Sequence, residues 1–226
     1  MFDSIVKDIF DRLVKVDAGV KDTHNGGMAG TKQFDEDEAL DRAMALFWRR
    51  GFGATSMQDI AVATGVLRGS LYNAYGDKQA LFLRVFARYR ERFLANVAEV
   101  LGAATPEQAL RDYLRFSIDT ITLAGDDALT RGCLTTKTAT DETAMDQEIR
   151  HALRGLLDGV RGLLEERLAR PDAAARLALA PAAAATLVVT ATRGMVVMER
   201  VYGDPAQLQA IADDLLGLLL RAEPAS

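Results

Sequence analysis

The stretch TSMQDIAVATGVLRGSLYNAYGDKQALF, residues 55–82, decides how this chain reads. Ser56 stands as a helix N-cap with Asp59 three residues on, the capping-box pattern in which each satisfies the other's backbone N–H. The short helix started there stops at Gly65. After a tight turn a second short helix is expected from Arg68 to Tyr75, closed by Gly76, and Asp77 then caps a long one. Two short helices around a glycine turn, preceded by a third, make the helix-turn-helix plan. In that plan the second helix of the pair enters the major groove of DNA while the first crosses the backbone.

The residues of that second helix suit the task. Arg68 offers a two-pronged donor set to guanine or to a phosphate, and Asn73 can pair with adenine. Gly69 lets a backbone approach closely. Ser70 and the Tyr72 phenol can donate to phosphate oxygens, which position without specifying. Lys78, in the first turn of the long helix, adds a cation beside free backbone N–H groups. Leu71 and Tyr75 are expected to face inward. Charge supports this only locally. From Phe34 to Ala80 five cations (Arg42, Arg49, Arg50, Arg68, Lys78) stand against seven acids, four of which cluster at 35–38. A plain packing module with scattered cations is the competing reading.

Outward from this segment the pattern is helical throughout. Residues 35–50 form a helix capped by Asp35, with acids in its first turn, where the helix dipole favours them. The helix after Asp77 keeps a 3.6-residue apolar period to about Leu101. Thr105 and Pro106 open the next, over about 106–124. A long helix is expected over about 141–169, ended by Pro171, and two more over about 182–202 and 205–221. Residues 2–16 have an amphipathic period, and 17–33 are polar and glycine-rich, a linker pattern. Met28 can itself be a translation start, which leaves the first 27 residues open as an extension.

Composition excludes several classes. The net charge is −5, so non-specific coating of nucleic acid is disfavoured, although binding follows charge near the phosphates. The single cysteine, Cys133, rules out an internal disulfide and a cysteine-rich zinc site. His24 and His151 have no partner at metal-ligand spacing, and no serine elbow or phosphate loop is present, so neither an enzyme, a metal nor a cofactor is expected. No uninterrupted apolar run reaches spanning length, and a cytoplasmic protein without membrane contact is expected.

The ordered series ALFWRRGFGATSMQDIA and TGVLRGSLYNAYGDKQALF resembles the TetR family of bacterial transcription regulators, closely over residues 36–83 and loosely beyond. The resemblance implies an all-α homodimer: a helix-turn-helix DNA-binding domain over 34–83 and a helical ligand-binding and dimerisation domain over 84–226, with 1–33 as a separate N-terminal segment. It implies a repressor released from a palindromic operator by a small-molecule effector. By position, Ser56, Arg68, Gly69, Ser70, Tyr72, Asn73 and Lys78 would meet DNA. Leu67 departs from the small hydroxyl residue common at its place and cannot cap the recognition helix.

The last two helices would then form a four-helix interface with a second copy, through Leu187, Val188, Ala191, Met195, Leu208, Ile211, Leu215, Leu216 and Leu219. Tyr113, Phe116, Cys133, Thr136 and Met145 are the expected effector-pocket residues. Cys133 would be a reactive thiol only beside a cation such as Arg131 or Lys137; buried packing is the alternative. A protein-interaction adaptor with a degenerate helix-turn-helix stays open as the second functional reading.

Overall fold

The computed structural model describes residues 34–122, 132–144 and 146–221. The amphipathic helix and linker read in 1–33, together with Arg131 and Met145, lie outside the described residues. The rest is helical: α1 Glu36–Arg50, α2 Met57–Thr64, α3 Arg68–Tyr75, α4 Lys78–Val100, α5 Pro106–Thr122, α6 Leu134–Ala139, a 3₁₀ turn Glu142–Ala144, α7 Gln147–Leu168, the short α8 Pro171–Ala174, α9 Pro181–Tyr202 and α10 Pro205–Leu219. Among the described residues the only β-type pairing is an isolated antiparallel bridge, Leu177 to Leu220.

The caps fall where local chemistry puts them. Asp35 accepts from Glu38 N and Asp77 from Ala80 N, and Gln108 N donates to Thr105 Oγ1. Helix α7 begins later than its apolar period suggests. Asp146 is its N-cap, accepting from Ile149 N at 2.8 Å, while Asp141 is turned outward to another segment. Pro171 does not simply end that helix; it opens α8 at the first position.

Helix α1 is fixed on α4 by both apolar and ionic contacts. Leu40, Met44, Phe47 and Trp48 are buried on its inner face. Asp41, only 4% exposed, lies between Arg88 and Arg92, with Arg92 Nη1 at 2.7 Å. Arg88 also pairs with Asp37, and Arg84 with Glu36 at 3.6 Å. The acidic start of α1 is thus neutralised by arginines of α4. A carboxylate as enclosed as Asp41 is tolerable only with such partners, because an uncompensated buried charge costs several kcal/mol.

Helix α4 carries a ladder of rings through the molecule. Phe52 meets Phe82 at 5.2 Å, followed by Phe86, Tyr89 and Phe93, and Phe93 meets Phe116 of α5 at 5.6 Å. One contiguous core therefore runs from Leu40 to Leu219. The 83/84 boundary expected from sequence falls inside this uninterrupted helix. Helix α7 packs on α4 and α9, and α10 packs on α5 and α9.

Helix α9 is long and apolar enough to cross a membrane by length and composition. One of its faces is buried within the fold, by Ala184, Ala185, Val188, Thr192, Met195 and Glu199. Its opposite face presents Leu187, Thr190, Gly194, Val197 and Val201, all exposed and spaced three and four apart.

Candidate nucleic-acid interface

The geometry of α2 and α3 follows from a few residues. Ser56 and Asp59 close the full capping box, Ser56 N donating to Asp59 Oδ2 at 2.9 Å and Asp59 N to Ser56 Oγ at 3.1 Å. Gly65 ends α2 in the left-handed region at φ 70°, a conformation glycine adopts at no steric cost. Ile60 and Leu71 are buried, and Tyr75 is half-buried, as their inward positions require. Leu67 makes no side-chain cap and is 79% exposed.

Opposite that packed face, Arg68, Gly69, Tyr72 and Asn73 are exposed on one surface of α3, and Ser70 is half-buried beside them. The Arg68 guanidinium lies 5.4 Å above the Tyr72 ring, and its Nη2 donates to the Tyr72 hydroxyl at 3.3 Å. That contact limits where the arginine can go while leaving donors outward. A Cβ at Gly69 would meet nothing within 4 Å, so the space above it is open to an approaching backbone. Two expected contacts are already engaged. Ser56 Oγ is committed to its capping box, and Lys78 Nζ donates to Phe52 O at 3.0 Å, over the Phe52 ring.

The loop between α1 and α2 is tied to the rest of the chain by a clip that the sequence did not disclose. Lys137 of α6 donates from Nζ to the last carbonyls of α1, Trp48 O at 2.6 Å and Arg49 O at 3.1 Å. A cation there meets the negative end of the helix dipole. Trp48 Nε1 donates to Gly132 O at 2.8 Å, and Gly53 N donates to Asp141 Oδ2 at 2.6 Å. Thr143 Oγ1 in turn donates to Asp141. Residues 132–143 therefore grip the front of the helix-turn-helix.

The same segment borders a buried polar site. Tyr113, Phe116 and Cys133 are nearly or fully buried, and Thr136 is half-buried. The cation beside Cys133 is Arg193, not Lys137: Arg193 Nη1 lies 3.0 Å from Sγ. Burial pushes the Cys133 thiol up, but Arg193 and hydrogen bonds from the backbone of Thr136 and Thr135 outweigh it and hold the thiol below its usual range. Burial pushes the Tyr89 and Tyr113 phenols well up.

Tyr89 Oη, Tyr113 Oη, Thr135 Oγ1, Thr136 Oγ1 and Arg193 Nε are enclosed without a closed hydrogen bond. Tyr89 faces Thr135, and Tyr113 faces Thr192 and Ser117. Sequence reading missed Tyr89 and Arg193. A signal existed for the second, a lone cation inside the otherwise apolar run AAAATLVVTATRGMVVM.

Comparison with known proteins accords with this geometry. Residues 39–85 match the family described as "Bacterial regulatory proteins, tetR family", and residues 106–215 match "Tetracyclin repressor-like, C-terminal domain". The chain is 35% identical over 128 residues to the HTH-type transcriptional repressor ComR of Escherichia coli, covering 54% of this chain and 61% of that one. It spans about three fifths of the length of ComR and of the regulator YezE of Bacillus subtilis, and less of the other curated relatives it matches. The regulator CifR, solved with 26-bp double-stranded operator DNA, superposes with a TM-score of 0.72 at 29% identity, covering 86% of this chain and 100% of that one. E. coli NemR in its reduced form shares the fold, with a TM-score of 0.74 at 19% identity over 84% and 98% of the two chains.

Proposed function

The chain belongs to the TetR family of bacterial regulatory proteins, and on that footing we propose that it is a homodimeric, effector-responsive transcriptional repressor working in the cytoplasm. The observation that carries the reading is the outward face of α3, where Arg68, Tyr72 and Asn73 stand clear of all packing on a helix-turn-helix frame. Arg68 and Asn73 read base edges. Gly69, Ser70, Tyr72 and the first turn of α4 meet the phosphates, while Ser56, held in its capping box, fixes the start of α2 beside them. Lys78 contributes by bracing the loop at Phe52 and adding positive charge near the strand.

A second copy covers the exposed stripe Leu187, Thr190, Gly194, Val197, Val201, with Leu218 of α10 beside it. Leu216 and Leu219, expected from sequence at that interface, are buried inside the protomer and hold α10 on its own fold. A two-fold dimer presents two α3 helices and so reads a palindromic site. Effector binding near Tyr113, Phe116, Cys133 and Thr136 changes DNA affinity through α6, because Lys137 and Asp141 hold α1 and the following loop directly.

The test is fluorescence anisotropy on DNA from the protein's own promoter region against scrambled DNA, over a salt series. Sequence-selective binding that weakens steeply with salt is expected. Arg68→Ala should cost about 1–3 kcal/mol and relax one operator position. Equal binding to both DNAs at low salt refutes the reader assignment, and an unchanged base preference in Arg68→Ala removes that residue from it.

A further inference from the structure

We propose that Arg193 is the anchor of a small-carboxylate site, and that the effector is a monoanion with a compact aromatic or otherwise flat apolar body. The inference deepens the effector reading above and names its chemistry. Arg193 lies in the middle of α9, whose other charged residues, Glu199 and Arg200, stand in its last turns, and its Nε is enclosed. Among the described residues it meets no carboxylate; its partners are the Cys133 sulfur at 3.0 Å and Thr192 Oγ1 at 3.4 Å. A guanidinium is a fork that matches two oxygens in one plane, and among the described residues no carboxylate fills that fork.

Around it stand Tyr89, its hydroxyl facing Thr135, and Tyr113, its hydroxyl facing Thr192 and Ser117, both with 0% of their surface exposed. Two phenol donors beside an arginine supply what a carboxylate accepts. One cation and neutral donors suit a single negative charge rather than a phosphate dianion. The neighbouring rings of Phe93, Phe116 and Trp48 define an apolar wall continuous with Tyr89. Cys133 is the resident competitor for the guanidinium, so a carboxylate displaces the thiol contact and does not require the sulfur.

Trp48 is the only tryptophan in the chain, and it lies 5.3 Å from Tyr89, ring centre to ring centre, with its N–H on Gly132 O. Its fluorescence reports the site without DNA, so this test fails or succeeds apart from the repressor reading. The probes are benzoate and its neutral analogue benzamide. Benzoate should give a saturable change that benzamide does not. Arg193→Gln should weaken benzoate by roughly tenfold to a hundredfold, the loss of hydrogen bonds to a charged group.

Arg193→Lys, which keeps the charge but loses the planar fork, should bind benzoate more weakly than the unaltered protein and more tightly than Arg193→Gln, and Tyr113→Phe should weaken it. Cys133→Ser should bind at least as well as the unaltered protein. If Arg193→Gln does not fold, Arg193→Lys and Tyr113→Phe carry the test. No saturable response to benzoate, equal binding of benzamide, undiminished affinity in Arg193→Gln or Tyr113→Phe, or loss of binding in Cys133→Ser overturns the proposal.

Discussion

Replacing Gly53 by alanine tests the clip between the helix-turn-helix loop and the segment after α6. Gly53 N donates to Asp141 Oδ2 at 2.6 Å. Hydrogen bonds to charged groups contribute about 1.5–3 kcal/mol, and solvent at this partly exposed carboxylate reduces that to about 1–2 kcal/mol. An added Cβ would lie 2.6 Å from Thr143 Oγ1 and 2.8 and 2.9 Å from the Asp141 oxygens, so both side chains must swing away. Gly53 is not among the glycines with positive φ, so alanine also gains the usual 0.4–1 kcal/mol, roughly, from a stiffer unfolded chain. The net expectation is a loss of about 1 kcal/mol.

In an Asp141→Ala, Thr143→Ala background nothing remains to clash or to lose. There the same substitution should be neutral or stabilising by up to about 1 kcal/mol. Urea unfolding followed by Trp48 fluorescence measures both legs. Acid adds a check. Burial pushes the Asp141 carboxyl up, but hydrogen bonds from Thr143 and Gly53 outweigh it and hold it below its ordinary 3.8. The clip is therefore fully present above pH 3.8 and fades as pH falls through the lowered value. An equal cost of Gly53→Ala in both backgrounds would show that no such clip exists.

Charging the exposed stripe with Val197→Glu and Val201→Glu should yield a folded monomer in sedimentation with much weaker operator binding, whereas Leu219→Glu should unfold the protomer; a dimer surviving the double change would refute the interface. The Cys133 thiol, with its folded-state pKa below the ordinary 9.0, contributes stability that is fully present above pH 9.0 and lost as pH falls through the lowered value. The stability advantage over Cys133→Ser should therefore grow with pH across that window, and Arg193→Gln should abolish the growth; a pH-independent difference would exclude a thiolate–guanidinium pair.

The elements that were legible in the sequence were those decided by neighbours in the chain. Asp35, Ser56 and Asp77 act as caps because their partners lie three residues away, and the outward set on α3 follows from the same periodicity that buries Leu71. What escaped depends on distant partners. The start of α7 moved because Asp141 bonds to a loop 88 residues earlier, and Lys137 reaches α1 over a comparable separation. Helix α9 is apolar or small over most of its length, so no period could mark Val197 as outward while Val188 and Met195 pack inward. Arg193 was passed over because its partner Cys133 lies 60 residues away in the chain.

Helix α4 places Phe82 beneath the DNA-reading end and Phe93 against α5 with no break between them. The helix-turn-helix and the helices behind it are therefore not exchangeable parts. A recombination event that replaced residues 34–83 with a stranger's would splice foreign rings into the middle of one stack and mismatch the arginines that neutralise α1. On the proposed reading, descendants of this chain can adopt a new operator by altering Arg68 or Asn73, which touch nothing in the core, far more readily than by acquiring another head.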